Sequence, residues 1–138
     1  MCIRDRSVGH DAVYGVFFHG PAYKVLERVT VRPDGAVGLM VHGLPPNSVP
    51  ADAESLVAPR LLELCFQTAG IWEVAERGRL ALPSSVSRVV VRKDPAGANG
   101  RRLWAVVTAA TAAAATVATA VPAVPAVPAA PAAGGAAR

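Results

Sequence analysis

The sequence predicts an α+β domain in which one long apolar helix is wrapped by a curved antiparallel sheet. Two observations lead there. Residues 61–72, Leu-Leu-Glu-Leu-Cys-Phe-Gln-Thr-Ala-Gly-Ile-Trp, are apolar on nearly every helical face, with Pro59 placed to open a helix and Gly78 to close it. On either side lie short runs that alternate or are rich in β-branched residues, the composition of strands. A helix apolar nearly all round must be covered, and the flanking strands are the cover the chain provides.

In chain order, residues 13–18 form a short apolar run with strand character. Gly20-Pro21 then opens a turn or short helix through residue 26. Residues 25–32 and 36–42 alternate about Pro33-Asp34-Gly35, a turn signature, and are expected to pair as a hairpin. Residues 43–53, with Pro45, Pro46, Asn47 and Pro50, make a loop. The helix is expected over 59–76, its tail turning polar at Glu73, Glu76 and Arg77. Strands are expected again at 80–82, 86–92 and 102–107, the last two about a turn at 94–100.

The chain has 138 residues, room for one domain, and divides into three pieces. Residues 1–9 are a polar lead whose Met-Cys-Ile-Arg-Asp-Arg-Ser resembles the translated adaptor remnant of metagenomic reads; the expectation is a non-native or disordered lead on a fragment whose parent begins upstream. Residues 11–107 have globular composition. Residues 108–138 are almost wholly Ala, Val, Thr, Pro and Gly, which suits either a linker or an out-of-frame tail, disordered in both cases. Neither end carries an amphipathic pattern, so residues 1–9 and the Pro-rich end from Val121 are expected to pack against nothing.

Fourteen basic against ten acidic residues give a net charge of +4. With no aromatic residues interleaved among the basic ones, that is no platform for nucleic acid. Arg88, Arg92, Lys93, Arg101 and Arg102 cluster about the 94–100 turn, as a charge-guarded sheet edge or as a surface for an acidic partner. Cys2 and Cys65 form no disulfide framework, and Cys65 sits with the apolar residues of the helix. No segment reads as a signal peptide or membrane span, because Ala is weakly hydrophobic and Pro122, Pro125, Pro128 and Pro131 interrupt the tail. A cytoplasmic setting is expected.

Glu63 is the acid within the apolar stretch, with no charged neighbour in sequence. Gln67 lies four residues on, one helical turn away on the same face, so the two can share a hydrogen bond, and Gly70 continues the stripe and leaves room for a ligand. A carboxyl buried there is favoured in its protonated form, the state a general acid needs. The alternative is that Glu63 sits in the first turn after Pro59, where the helix dipole favours a carboxylate and no chemistry is implied.

These residues resemble a known pattern. Glu63-Leu64-Cys65-Phe66-Gln67-Thr68-Ala69-Gly70 is similar to the E-x-x-x-Q-x-x-G helix of stand-alone β-hydroxyacyl-carrier-protein dehydratases, which have the hotdog fold. Tyr14 with Phe18-His19-Gly20-Pro21-Ala22-Tyr23 resembles the Y-G-P-x-F segment of polyketide synthase dehydratase domains, Pro59-Arg60-Leu61-Leu62-Glu63 their H-P-x-L-L-D, and Leu82-Pro83 with Val86 their L-P-F-x-W. The matches run in the family's order over about residues 14–107. Glu63 stands where the larger family has Asp, Ala58 where it has His, His19 where it has the tyrosine of Y-G-P, and Ser84 and Val86 where it has aromatic residues.

The resemblance implies one half of a double hotdog, the C-terminal half, incomplete at its C-terminal end. It also implies removal of water from 3-hydroxyacyl thioesters in polyketide or polyunsaturated fatty acid synthesis. Glu63 would be the acid and Gln67 would orient it. Tyr14, Phe18, Pro21 and Tyr23 would line an acyl tunnel, with His19, Gly20 and Gly70 at the substrate site. The catalytic histidine of the family's H-x-x-x-G-x-x-x-x-P segment would come from the N-terminal half, since His10, His19 and His42 do not sit in that pattern. No metal and no cofactor of its own are implied, the substrate riding on the phosphopantetheine arm of an acyl carrier protein, and the parent would be homodimeric. A hotdog thioesterase, or a non-catalytic half with a structural role, are the competing readings.

Overall fold

The computed structural model describes residues 6–55, 57–94, 100–110 and 117–122, the last of these as backbone. Its strands are β1 (Arg6–Gly9), β2 (Leu26–Arg32), β3 (Gly35–Met40), β4 (Leu103–Thr108) and β5 (Val117–Pro122), and its helices are α1 (His10–Val16) and α2 (Pro59–Arg77), with a 3-10 turn at Pro21–Tyr23. The strands form one antiparallel sheet in the order β1-β2-β3-β4-β5, and α2 lies across β2 to β5. A long helix laid on an antiparallel sheet is the α+β hotdog arrangement.

The register explains how α2 seats. Val29, Gly38 and Ala105 lie side by side across β2, β3 and β4, as do Val31, Ala36 and Val107, and all six are buried. Small residues occupy the middle of each row, so the helix comes in close over β3. A Cβ on Gly38 would stand 2.0 Å from Thr68 Oγ1 and 2.8 Å from Leu26 Cδ2. Thr68 turns its hydroxyl back to Leu64 O at 2.6 Å, so a polar group sits fully buried at the closest approach without an unpaired donor. A register shift between Leu26 and Arg28 places Glu27 as an extra residue, and both Leu26 and Val29 then reach the core.

Pro59 opens α2, with Leu61 and Leu62 N–H donating to Ala58 O, and Gly78 closes it in the left-handed conformation (φ 65°). Trp72, near the C-terminal end, is buried and donates its indole N–H to Arg32 O at 3.0 Å, tying the helix to the end of β2.

Four expectations are corrected. Residues 13–18 are not a strand: His10, Val13, Tyr14 and Phe17 share one helical face and face the core, while Asp11, Ala12, Gly15 and Val16 are exposed. A short apolar run does not distinguish the two periods by itself, and here the 3.6-residue one wins. Residues 80–82 and 86–92 carry no regular structure, and Val86, Val89, Val90 and Val91 are about half exposed. A β-branched run forms a strand only where a neighbour completes its ladder, and among the described residues none does. The lead does not pack against nothing: Arg6–Gly9 pairs with β2, Val8 packs against the core, and Arg6 donates to Ala75 O and pairs with Glu76 at the end of α2. The tail likewise returns as β5 beside β4, so Val121 and Pro122 belong to the sheet. Residues 1–5 and 123–138 lie outside the described residues.

Among the described residues no helix is long and apolar enough to cross a membrane.

Candidate functional site

Three elements converge on the second turn of α2. α1 presents Tyr14, the chain after it presents His19, the 3-10 turn presents the Tyr23 carbonyl, and α2 presents Glu63 and Gln67. Gln67 is buried and uses both ends of its amide. Its Oε1 accepts from Tyr14 Oη at 2.7 Å, and its Nε2 donates to Tyr23 O at 2.9 Å and to Glu63 Oε2 at 3.0 Å. Tyr14 Oη in turn accepts from Leu26 N–H at 2.8 Å.

Backbone groups fix every orientation in this chain of bonds. Leu26 N–H can only donate, so the Tyr14 oxygen accepts there and spends its proton on Gln67 Oε1. Tyr23 C=O can only accept, so it faces the NH₂ of Gln67. The second N–H of that group points at Glu63. Burial pushes the Tyr14 phenol up to about 12; the Leu26 N–H opposes that shift and the nearby Glu63 charge adds to it. The hydroxyl therefore keeps its proton and its place as donor.

Glu63 differs from its expectation in three ways. It is not buried, since 31 % of its side chain is exposed. It has a titratable neighbour, for His19 Nε2 lies 3.3 Å from Glu63 Oε2. It also falls beyond the first turn of α2, which holds no acidic residue, so the helix-start alternative loses its physical basis, because the dipole acts within that turn.

The expected substrate residues divide. Tyr14, His19, Tyr23, Glu63 and Gln67 come together, Tyr23 through its carbonyl. Phe18 is 78 % exposed and stacks on His19 rather than lining an enclosed tunnel. Gly20 and Pro21 are exposed in the turn. Gly70 gives room to a protein group and not to a ligand: the ring of Phe17 comes within 2.9 Å of where its Cβ would be. Two clefts flank the start of α2, of about 210 and 550 Å³, both touching Met40, Arg60 and Leu103; Tyr14, Phe18, Pro21 and Tyr23 line neither.

Sequence reasoning missed Phe17, His10 and the Leu26 amide. His10 and Phe17 stand four before and three after Tyr14, a helical spacing that the strand assignment concealed; His10 lies with its ring centroid 4.7 Å from that of Tyr14 and its Nδ1 2.8 Å from Leu26 O. No side chain signals the Leu26 amide. Among the described residues no three His, Cys, Asp or Glu side chains gather as a metal site.

A family model described as the polyketide synthase dehydratase N-terminal domain matches residues 6–130. No characterised protein and no solved structure matches the chain at a significant level.

Proposed function

Because the chain belongs to the polyketide synthase dehydratase family, we propose that it supplies the acid side of a site that removes water from 3-hydroxyacyl thioesters on an acyl carrier protein, giving 2-enoyl thioesters. One observation carries the reading. Gln67 Nε2 and His19 Nε2 both approach the same oxygen, Glu63 Oε2, at 3.0 and 3.3 Å. With Oε2 engaged as an acceptor, Oε1 is the oxygen through which the acid would transfer its proton.

In the reaction a base takes the α-proton of the thioester and the Cα–H electrons form the Cα=Cβ bond. The Cβ–O bond breaks, and Glu63 Oε1 delivers its proton so that hydroxide leaves as water. Gln67 orients the carboxyl, and Tyr14 and the Tyr23 carbonyl orient Gln67. The base comes from elsewhere: His10, His19 and His42 lie outside the H-x-x-x-G-x-x-x-x-P pattern, and His19 offers a substrate no nitrogen, since Nδ1 is buried and Nε2 faces Glu63.

We therefore take the chain as the second, C-terminal half of a double hotdog, although the matching family model is described by its N-terminal domain. What supports this is the acid–amide helix present here and the missing histidine pattern. The partners are then the N-terminal half of the parent, which also polarises the thioester carbonyl, and an acyl carrier protein whose phosphopantetheine arm brings the substrate. The parent is homodimeric, and the chain binds no cofactor of its own.

The test is turnover of a carrier-bound 3-hydroxyacyl substrate by the full-length parent, followed as enoyl product. Glu63→Gln keeps the shape but has no proton to give, and should lose a factor of about 10² to 10⁴ in kcat. Glu63→Asp should lose less. Near-normal turnover by Glu63→Gln overturns the proposal, and release of free thiol in place of enoyl product points to a thioesterase.

A further inference from the structure

The His19 ring is held on several sides. It stacks on Phe18 with centroids 5.4 Å apart and planes 4° from parallel, meets Phe17 edge-on at 5.5 Å, and lies 6.4 Å from the Tyr14 ring at 79°. The ring so packed brings Nε2 to 3.3 Å from Glu63 Oε2. Its Nδ1 is sealed from solvent and has no hydrogen-bond partner. An unpaired N–H there would cost a full desolvation penalty, which favours the imidazole proton on Nε2, the nitrogen beside the carboxyl. Phe18 is exposed on its outer face, and covering His19 is the contact the structure gives it.

We propose that His19 is a positioning residue for the acid. Its Nε2–H is the second donor on Glu63 Oε2, and together with Gln67 it keeps that oxygen as acceptor and leaves the transferable proton on Oε1. Gln67 alone would hold one edge of the carboxyl and leave it free to swing. Two donors converging from α2 and from the segment after α1 fix its plane. The groups facing Glu63 are His19 and Gln67, with Tyr14 behind Gln67. This inference rests on the dehydratase reading, and adds to it a residue that acts through Glu63 without touching substrate.

The experiment uses the full-length parent and two substitutions that separate ring from donor. His19→Phe keeps an aromatic ring between Phe17 and Phe18 and removes the N–H. His19→Gln gives up the ring and restores an N–H at a similar reach. If His19 positions the acid, His19→Phe should lower kcat about tenfold, the rate equivalent of about 1.4 kcal/mol, with KM changed less than about twofold, and His19→Gln should recover most of the loss. Unchanged kcat in His19→Phe overturns the inference and makes His19 a packing residue. An equal loss in both variants also overturns it. Glu63→Gln, run alongside, separates the two levels. Turnover lost there but kept in His19→Phe overturns the role of His19 alone, whereas turnover kept in Glu63→Gln removes the dehydratase reading and this inference with it.

Discussion

Among the described residues Gln67 and Thr68 are the buried polar ones, and each is satisfied by side-chain hydrogen bonds that substitution can test. Tyr14→Phe deletes the hydroxyl shared by Leu26 N–H and Gln67 Oε1, leaving groups of two buried residues unpaired; it should lower stability by about 1–3 kcal/mol in urea titration. The same phenol gives a pH signature. Its folded pKa, about 12, lies above the ordinary value of 10.0, so the folded state favours the protonated form. That contribution is fully present below pH 10 and is lost as pH rises through about 12. Burial pushes the Cys65 thiol from 9.0 to about 11, so its contribution fades earlier, from about pH 9 upward. Urea midpoints should therefore fall above pH 9, and the part of the fall that begins near pH 10 should be absent from Tyr14→Phe. Gly38→Ala should cost about 1–3 kcal/mol through overpacking, and Thr68→Ala in the same chain should return part of it. The pairing of Glu63 with Gln67 was legible in the sequence because one helical turn separates them. His19 opposite Glu63 was not, because no local period links a residue beyond α1 to a residue of α2.

At the scale of elements, what the sequence made legible was the helix and the hairpin. Each is announced by its own residues: Pro59 and Gly78 bracket α2, and Pro33-Asp34 turns β2 into β3. The misread pieces are those whose state depends on a neighbour far away in the chain. Arg6–Gly9 has no strand pattern of its own and is a strand because β2 offers it an edge. Residues 86–92 have the pattern, but among the described residues no strand pairs with them. Amide exchange in the chain should accordingly be slow through β2 and β3 and fast through residues 86–92, and polar replacements at Val86 or Val90 should change stability by no more than about 0.5 kcal/mol. The end of α2 is more demanding. Gly78→Ala puts a side chain on a left-handed residue (φ 65°) and should cost about 1 kcal/mol in the same titration.

At the scale of the whole molecule, the sheet formed by the described residues is open, with β1 at one edge and β5 at the other. Both edge strands come from segments whose composition alone suggests no structure, and each covers a strand that also meets α2: β2 on one side, β4 on the other. Cutting the chain before Val117 would bare the β4 ladder, and light scattering should then rise on warming, because an uncovered edge recruits other strands. The hydrogen-bonded path through the site has a further consequence at this scale. It starts on a β2 amide, passes through a side chain of α1 and an amide of α2, and ends on a carbonyl of the 3-10 turn. No one of these elements holds the carboxyl in its working orientation without the others. Loosening any of them frees Glu63, so under the dehydratase proposal the activity of the full-length parent should be lost at the same denaturant concentration as this sheet.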